Sequence, residues 1–271
     1  MEYINEADIL IPKRKEGSHK GDNGRVLLIG GSKEYAGAVA LAGIAALRSG
    51  ADMVVVAAPE KVAWAINTIY PDLITVKLKG EYIEEKHLKT LLELAKKSDA
   101  VLIGNGIGLN KGTQKLVKAI VKSVNKPIVI DADAIKAIRL NDIKNAILTP
   151  HKKEYEIFLV NSKLRESQAK RLLGNNVIVL KGRIDEIITA KKTYYNKTGN
   201  AGMTVGGTGD ILAGLCAGFV SQGLSLTLAA IDATYFSGYA GDNLKEKKGY
   251  TYIASDVAEE IIKVRKKFSK H

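Results

Sequence analysis

A single cysteine, Cys216, stands in 271 residues. An internal disulfide and a cysteine-rich metal site are therefore excluded. Cys216 falls within the apolar run Ile211–Val220, where a small buried apolar role is expected of it. The four histidines, His19, His87, His151 and His271, lack ligand-like spacing for zinc. Five prolines and no Pro- or Ser-rich linker or internal repeat predict one domain over residues 1–271, with 1–18 as an N-terminal lead-in. No apolar run is long enough to span a bilayer, and the N-terminus has no signal-peptide pattern. The cytoplasm is the expected compartment and a membrane is not an expected partner. Aromatics make up only 6% of the chain, without the aromatic–basic alternation of a base-stacking surface. That scarcity bears on the formal charge of +12, which alone would suggest nucleic acid. The lysines are spread over many helices with acids interleaved, so nucleic acid is not an expected partner and an anionic small molecule accounts for the charge equally well. Two nucleotide motifs are also missing. The Walker pattern is absent, and G-x-G-x-x-G fails because Leu109 interrupts the series begun by Gly104 and Gly106. A P-loop NTPase and a Rossmann dehydrogenase are not expected.

What is present is a strand-then-helix alternation. Val26–Gly30, Met53–Ala57, Leu73–Val76, Val101–Gly104, Ile128–Asp131 and Val177–Leu180 are continuous Val/Ile/Leu runs, as in parallel strands covered on both faces. Gly37–Ser49, Glu84–Lys97 and Lys111–Ser123 predict helices between them. Ile187–Thr189 and Thr193–Asn196 predict paired strands, followed by helices over Asp210–Gln222, Ser225–Leu244 and Ser255–Phe268. The alternation predicts a three-layer α/β/α sandwich with a mainly parallel central sheet. Ligands in such sheets bind at the carboxyl ends of the strands. Gly30-Gly31-Ser32, Gly104-Asn105-Gly106-Ile107-Gly108, Asp131-Ala132-Asp133, Thr149-Pro150-His151 and Lys181-Gly182 all fall at such ends.

The richest segment is 199–214, GNAGMTVGGTGDILAG. Gly202, Gly206, Gly207 and Gly209 crowd before Asp210, which opens the apolar run. A glycine-rich turn feeding a helix offers unpaired N–H groups and the positive end of the helix dipole to a phosphate. Asp210 there reads either as a base beside a phosphoryl group or as a helix cap. Further along, Ala213, Gly214, Ala217 and Gly218 are spaced for close helix packing. His151 and Glu154, three apart after Pro150, share a helix face. They read either as a substrate contact and a carboxylate for a metal-bound phosphate, or as a first turn favouring an acid. Lys181-Gly182 either contacts nucleotide phosphates or ends a strand. Asp131 and Asp133 are metal-ligand candidates, with turn capping the simpler reading.

His19-Lys20-Gly21-Asp22-Asn23-Gly24, Tyr35-Ala36-Gly37-Ala38, Gly104–Gly108, Thr149–Glu154 and the 199–214 block, in this order, resemble the nucleotide-dependent NAD(P)H-hydrate dehydratases of the ribokinase-like superfamily. The resemblance implies a ribokinase-like fold and a metabolite-repair activity. Hydrated NADH or NADPH would be phosphorylated on its ring hydroxyl with ADP or ATP, and phosphate would then be eliminated. It implies Asp210 as the catalytic base, with Ala38, Gly108, His151 and Asp210 touching the hydrated cofactor. Lys181, Gly182, Arg183, Ile184, Asp185, Gly207, Thr208 and Gly209 would touch the nucleotide, and Glu154 would serve magnesium. A homo-oligomer is expected, and any epimerase is expected as a separate protein. The chain departs from the family at Arg183-Ile184-Asp185-Glu186, where a small residue and a threonine are common, and at Ala201, where proline is common. Two other readings stand beside it: a kinase of the same fold acting on a thiazole or pyrimidine alcohol, and a nucleotide-binding sensor without turnover.

Overall fold

The computed structural model describes residues 2–269; Met1, Lys270 and His271 lie outside the described residues. One ten-stranded sheet organises them, in the order β1-β10-β9-β8-β7-β6-β5-β2-β3-β4. The strands are β1 (Glu2–Tyr3), β2 (Arg25–Ile29), β3 (Met53–Pro59), β4 (Ile74–Leu78), β5 (Ala100–Ile103), β6 (Ile128–Ile130), β7 (Ala146–Leu148), β8 (Val177–Leu180), β9 (Asp185–Ile188) and β10 (Thr193–Asn196). From β8 through β4 every pairing is parallel, while β9 runs antiparallel to both β8 and β10. The helices are α1 (Gly37–Arg48), α2 (Glu60–Ile69), α3 (Leu88–Lys96), α4 (Lys111–Ser123), α5 (Lys152–Ser162), α6 (Glu166–Leu172), α7 (Thr208–Ser221), α8 (Leu226–Lys248) and α9 (Ala254–Phe268).

The central strands feed two cores because their side chains alternate between faces. Val26, Leu28, Ala100, Leu102, Val129 and Ile147 point into one core with α1, α2, α7, α8 and α9. Leu27, Ile29, Val101, Ile103, Ile130 and Leu148 point into the other with α3, α4 and α5. The result is the expected three-layer α/β/α sandwich with a mainly parallel sheet. Differences from expectation are local. Residues 2–3 of the lead-in form the edge strand β1 beside β10. The helix expected over Glu84–Lys97 begins as a 3-10 turn at Glu85–His87. The helix expected to start after Pro150 is α5, and the strand end expected at Thr149 closes the three-residue β7, while α2 and α6 have no counterpart in the expectations.

The helix α7 is central. No Cβ fits at Gly214, which meets the Ala42 carbonyl of α1, or at Gly218, which meets Ser49. These two glycines let α7 lie directly on α1, as their spacing predicted, and Cys216 is fully buried beside them.

The buried Asp232 of α8 accepts one hydrogen bond, from the Leu10 N–H at 3.3 Å, while its Oδ2 has no partner among the described residues. Burial pushes its carboxyl up to about 7, and the Leu10 bond offsets only part of this. A carboxyl raised in the folded state costs stability as pH climbs from its unfolded value toward the folded one. The thermal stability of wild type should therefore fall between about pH 4 and 7. Asp232→Asn should flatten that slope; an unchanged slope would show that Asp232 does not titrate there.

Candidate active site

The loops following β2, β5, β6, β7 and β8 meet the N-terminus of α7 at one rim of the sheet. Gly207 caps α7 with φ +98°, a left-handed conformation that glycine adopts freely. A Cβ there would also lie 2.7 Å from Leu41 and 2.8 Å from Ala254. Thr208, Gly209 and Asp210 then open the helix, and their N–H groups precede its first intrahelical bond, Ile211 to Gly207. Gly209 leaves space for Lys181, whose Nζ would lie 3.2 Å from a Cβ at that position. The glycines of this segment are not equivalent. Tyr252 packs over Gly202 so closely that a Cβ there would lie 2.7 Å from its ring, whereas a Cβ on Gly206 would meet nothing within 4 Å.

Asp210 is half-buried, and its Oδ1 accepts a 2.7 Å hydrogen bond from Asn105 Nδ2. Its Oδ2 takes no hydrogen bond from the described residues. Burial pushes the carboxyl up to about 7. The Asn105 bond and the Lys181 charge pull it down, while Asp131 and Glu154 push it further up. A carboxyl with that poise is suited to accept a proton near neutral pH. The same Asn105 Nδ2 donates at 2.9 Å to Asp131 Oδ2. Asp131 Oδ1 accepts from Thr149 Oγ1 at 2.7 Å and from Lys181 Nζ at 3.2 Å. The simpler expectation for Asp131, turn capping, is not met: its side chain makes no cap bond and is the hub of this buried network. Asp133 instead accepts the Gly108 N–H at 3.2 Å and pairs with Lys136 at 2.8 Å.

His151 and Glu154 form a reciprocal cap at the start of α5. His151 Nδ1 accepts the Glu154 N–H at 3.2 Å, and Glu154 Oε2 accepts the His151 N–H at 3.0 Å. Glu154 is buried, whereas the His151 ring is exposed at the rim beside Lys181, to which its backbone is bridged. Lys181 points its ammonium at Asp131. Burial opposes that charge, but Asp131, Glu154 and Asp210 together hold its pKa above the ordinary lysine value. Ala38, in the first turn of α1, lies 3.4 Å from where Gly106 would carry a Cβ, so it borders the loop that holds Asn105. Gly108 is in the same loop, with φ +83°.

Beside the N-terminus of α7 a cavity of about 870 Å³ opens. Lys181, Gly182, Arg183, Ile184, Asp185, Thr208 and Gly209 line it, while Gly207 does not. Leu212 and Met203 supply apolar wall, and Lys197 and Lys245 supply positive charge. Asp185 turns its carboxylate inward to the Gly182 N–H at 3.0 Å and to Asn196 at 3.3 Å, which ties the loop. Asn105, Thr149 and Asp131 were not singled out together from sequence, because they converge only across strand ends. The one signal was that all three stand in loops expected at strand ends. Among the described residues no group of three His, Cys, Asp or Glu side chains could hold a metal by itself, and no helix is long and apolar enough to cross a membrane.

Comparison with known proteins identifies the family. The family model described as NAD(P)H-hydrate dehydratase matches residues 26–263. A bifunctional NAD(P)H-hydrate repair enzyme of Methanothermobacter thermautotrophicus is 43% identical over 96% of this chain and 53% of that protein. The chain thus spans about half the length of that relative. An ADP-dependent (S)-NAD(P)H-hydrate dehydratase of Cenarchaeum symbiosum is 33% identical, with 98% of each chain covered. The crystal structure of an ADP/ATP-dependent NAD(P)H-hydrate dehydratase from Bacillus subtilis, co-crystallised with ATP and Mg2+, is 26% identical with a TM-score of 0.82 over 98% of each chain. With the match extending over most of its length, the chain belongs to the NAD(P)H-hydrate dehydratase family.

Proposed function

We propose that the chain restores hydrated NADH or NADPH in a dehydration driven by ADP or ATP. The observation that carries this reading is the Asp210 carboxylate, with one oxygen free of hydrogen bonds from the described residues, in the first turn of α7 between the rim and the 870 Å³ cavity. The nucleotide occupies that cavity, with its phosphates toward Thr208 and Gly209 and its remainder against Arg183 and Ile184. Gly207 sets the turn that aims the first N–H groups of α7 at those phosphates. The hydrated cofactor lies at the rim against Ala38, Gly108 and His151.

Asp210 Oδ2 takes the proton of the ring hydroxyl as its oxygen attacks the terminal phosphorus. The bond from that phosphorus to the nucleotide's bridging oxygen breaks, which leaves a nucleotide one phosphate shorter. The helix N–H groups stabilise charge on the transferring phosphoryl group without reorganising. Phosphate is a far better leaving group than hydroxide. The ring nitrogen's lone pair expels it, and loss of a proton from the neighbouring ring carbon restores the double bond. Magnesium binds through one or two carboxylates plus substrate phosphates, so the donor set here suits an ion carried largely by the nucleotide. Glu154, buried and already oriented by His151, is the residue placed to hold it, and the ion would neutralise phosphate charge.

The test is stoichiometry. Inorganic phosphate should appear one-for-one with restored reduced ring. A small-alcohol kinase would instead accumulate a stable phosphorylated alcohol without free phosphate, and a sensor would leave the nucleotide intact.

A further inference from the structure

Asn105 is completely buried between two glycines that pin its backbone. Gly104 has φ +130° and packs against the Asp131 carbonyl, where no Cβ would fit, and Gly106 has φ +65°. The Asn105 carbonyl also accepts the Gly31 N–H at 2.8 Å. Its side chain points one NH2 group at two carboxylates, Asp210 Oδ1 at 2.7 Å and Asp131 Oδ2 at 2.9 Å. The amide orientation follows from these partners, because turning it round would face a carbonyl oxygen toward both carboxylates. Asn105 Oδ1 accordingly has no hydrogen-bond partner among the described residues. Asp131 is itself held from behind by Thr149 and Lys181. Among the described residues, a neutral amide that cannot titrate is thus the group that bridges the two acids.

Resting on the dehydratase reading, we propose that Asn105 is a positioning residue of the reaction: it holds Asp210 through Oδ1, shields it from Asp131, and so presents Oδ2 to the acceptor hydroxyl. The charged groups facing Asp210 are Asp131 after β6, Lys181 after β8 and Glu154 in α5, with the neutral thiol Cys216 further along α7. Removing the amide leaves Asp131 and Asp210 to repel without a donor between them. Protonated Asp210 is then favoured, and the remaining carboxylate is free to rotate away from the hydroxyl.

The experiment compares wild type with Asn105→Leu, which keeps the shape and removes the donor. Turnover should fall about 10–100-fold, with nucleotide KM within about twofold and the acid limb of the rate profile displaced upward by about one pH unit. A folded variant with the wild-type limb and wild-type turnover overturns the proposal, as does a loss confined to KM. Should Asn105→Leu not fold, Asn105→Ala, which also removes the donor, decides by the same criteria. Carbon-13 carboxyl titration of Asp210, assigned by its disappearance in Asp210→Asn, is read in parallel and needs no substrate. An upward shift in the Asn105 variant supports the proposal, and an unmoved titration contradicts it. Absence of nucleotide-dependent restoration by wild type would strike the dehydratase reading alone.

Discussion

Asp210→Asn is expected to lower turnover by about 10²–10⁴-fold while nucleotide affinity stays within about twofold. The substitution keeps the side chain's shape and keeps an oxygen for the Asn105 amide to donate to, so the first turn of α7 and the buried network should persist. What is lost is the capacity to take a proton. Wild-type turnover should fall as pH drops below about 7, since a base whose carboxyl is pushed up to about 7 by burial must be ionised to act. In Asp210→Asn the residual rate should lose that limb. A folded Asp210→Asn enzyme with near-wild-type turnover would remove Asp210 from the mechanism.

The second large effect is on stability. Lys181→Met is expected to destabilise the protein by about 3–5 kcal/mol, because it leaves a buried carboxylate without its counter-charge. The Asp131 side chain is 3% exposed and the Lys181 side chain 22%, so little water is available to replace the ammonium. Thr149 and Asn105 continue to donate to Asp131, which places the loss toward the lower end of that range. At about 2–4 °C per kcal/mol, the midpoint of thermal unfolding should fall by roughly 6–12 °C. Adding Asp131→Asn should recover most of the loss, since it removes the stranded charge. Recovery identifies the penalty as electrostatic. An equal loss in single and double variants would mean that Lys181 acts through packing instead.

Much of the fold was legible because the parallel strands are continuous Val/Ile/Leu-rich runs, and a run buried on both faces has few alternatives. Leu27 and Leu28 illustrate this: adjacent in sequence, they serve opposite cores. β7 was legible only through its carboxyl end at Thr149, because Ala146 weakens its apolar run, whereas the equally short β6 is wholly β-branched, Ile128–Ile130. α2 escaped because Trp64 and Ile69 are exposed and blur the apolar face that Val62, Ala63 and Ile66 bury. In the site, the glycine-rich approach to Asp210 was readable as a turn feeding a helix N-terminus, which α7 confirms, although Gly202 is there for the Tyr252 ring. Lys181 was readable as a cation at a strand end, but its partner Asp131 is 50 residues away in sequence. The Asn105 link is harder still, since it joins Asp210 across 105 residues and depends on a loop packed by Gly104 and Gly106. Local pattern carries no information on such pairings; the strand order does.

The most direct measurement is the near-ultraviolet absorbance of the reduced nicotinamide ring, followed with hydrated NADH, magnesium and the protein in the presence of ADP, ATP or no nucleotide. A rise that requires nucleotide and is abolished in Asp210→Asn is the predicted result, and the faster nucleotide identifies the phosphoryl donor. No rise with either nucleotide, from folded protein and fresh substrate, would contradict the account.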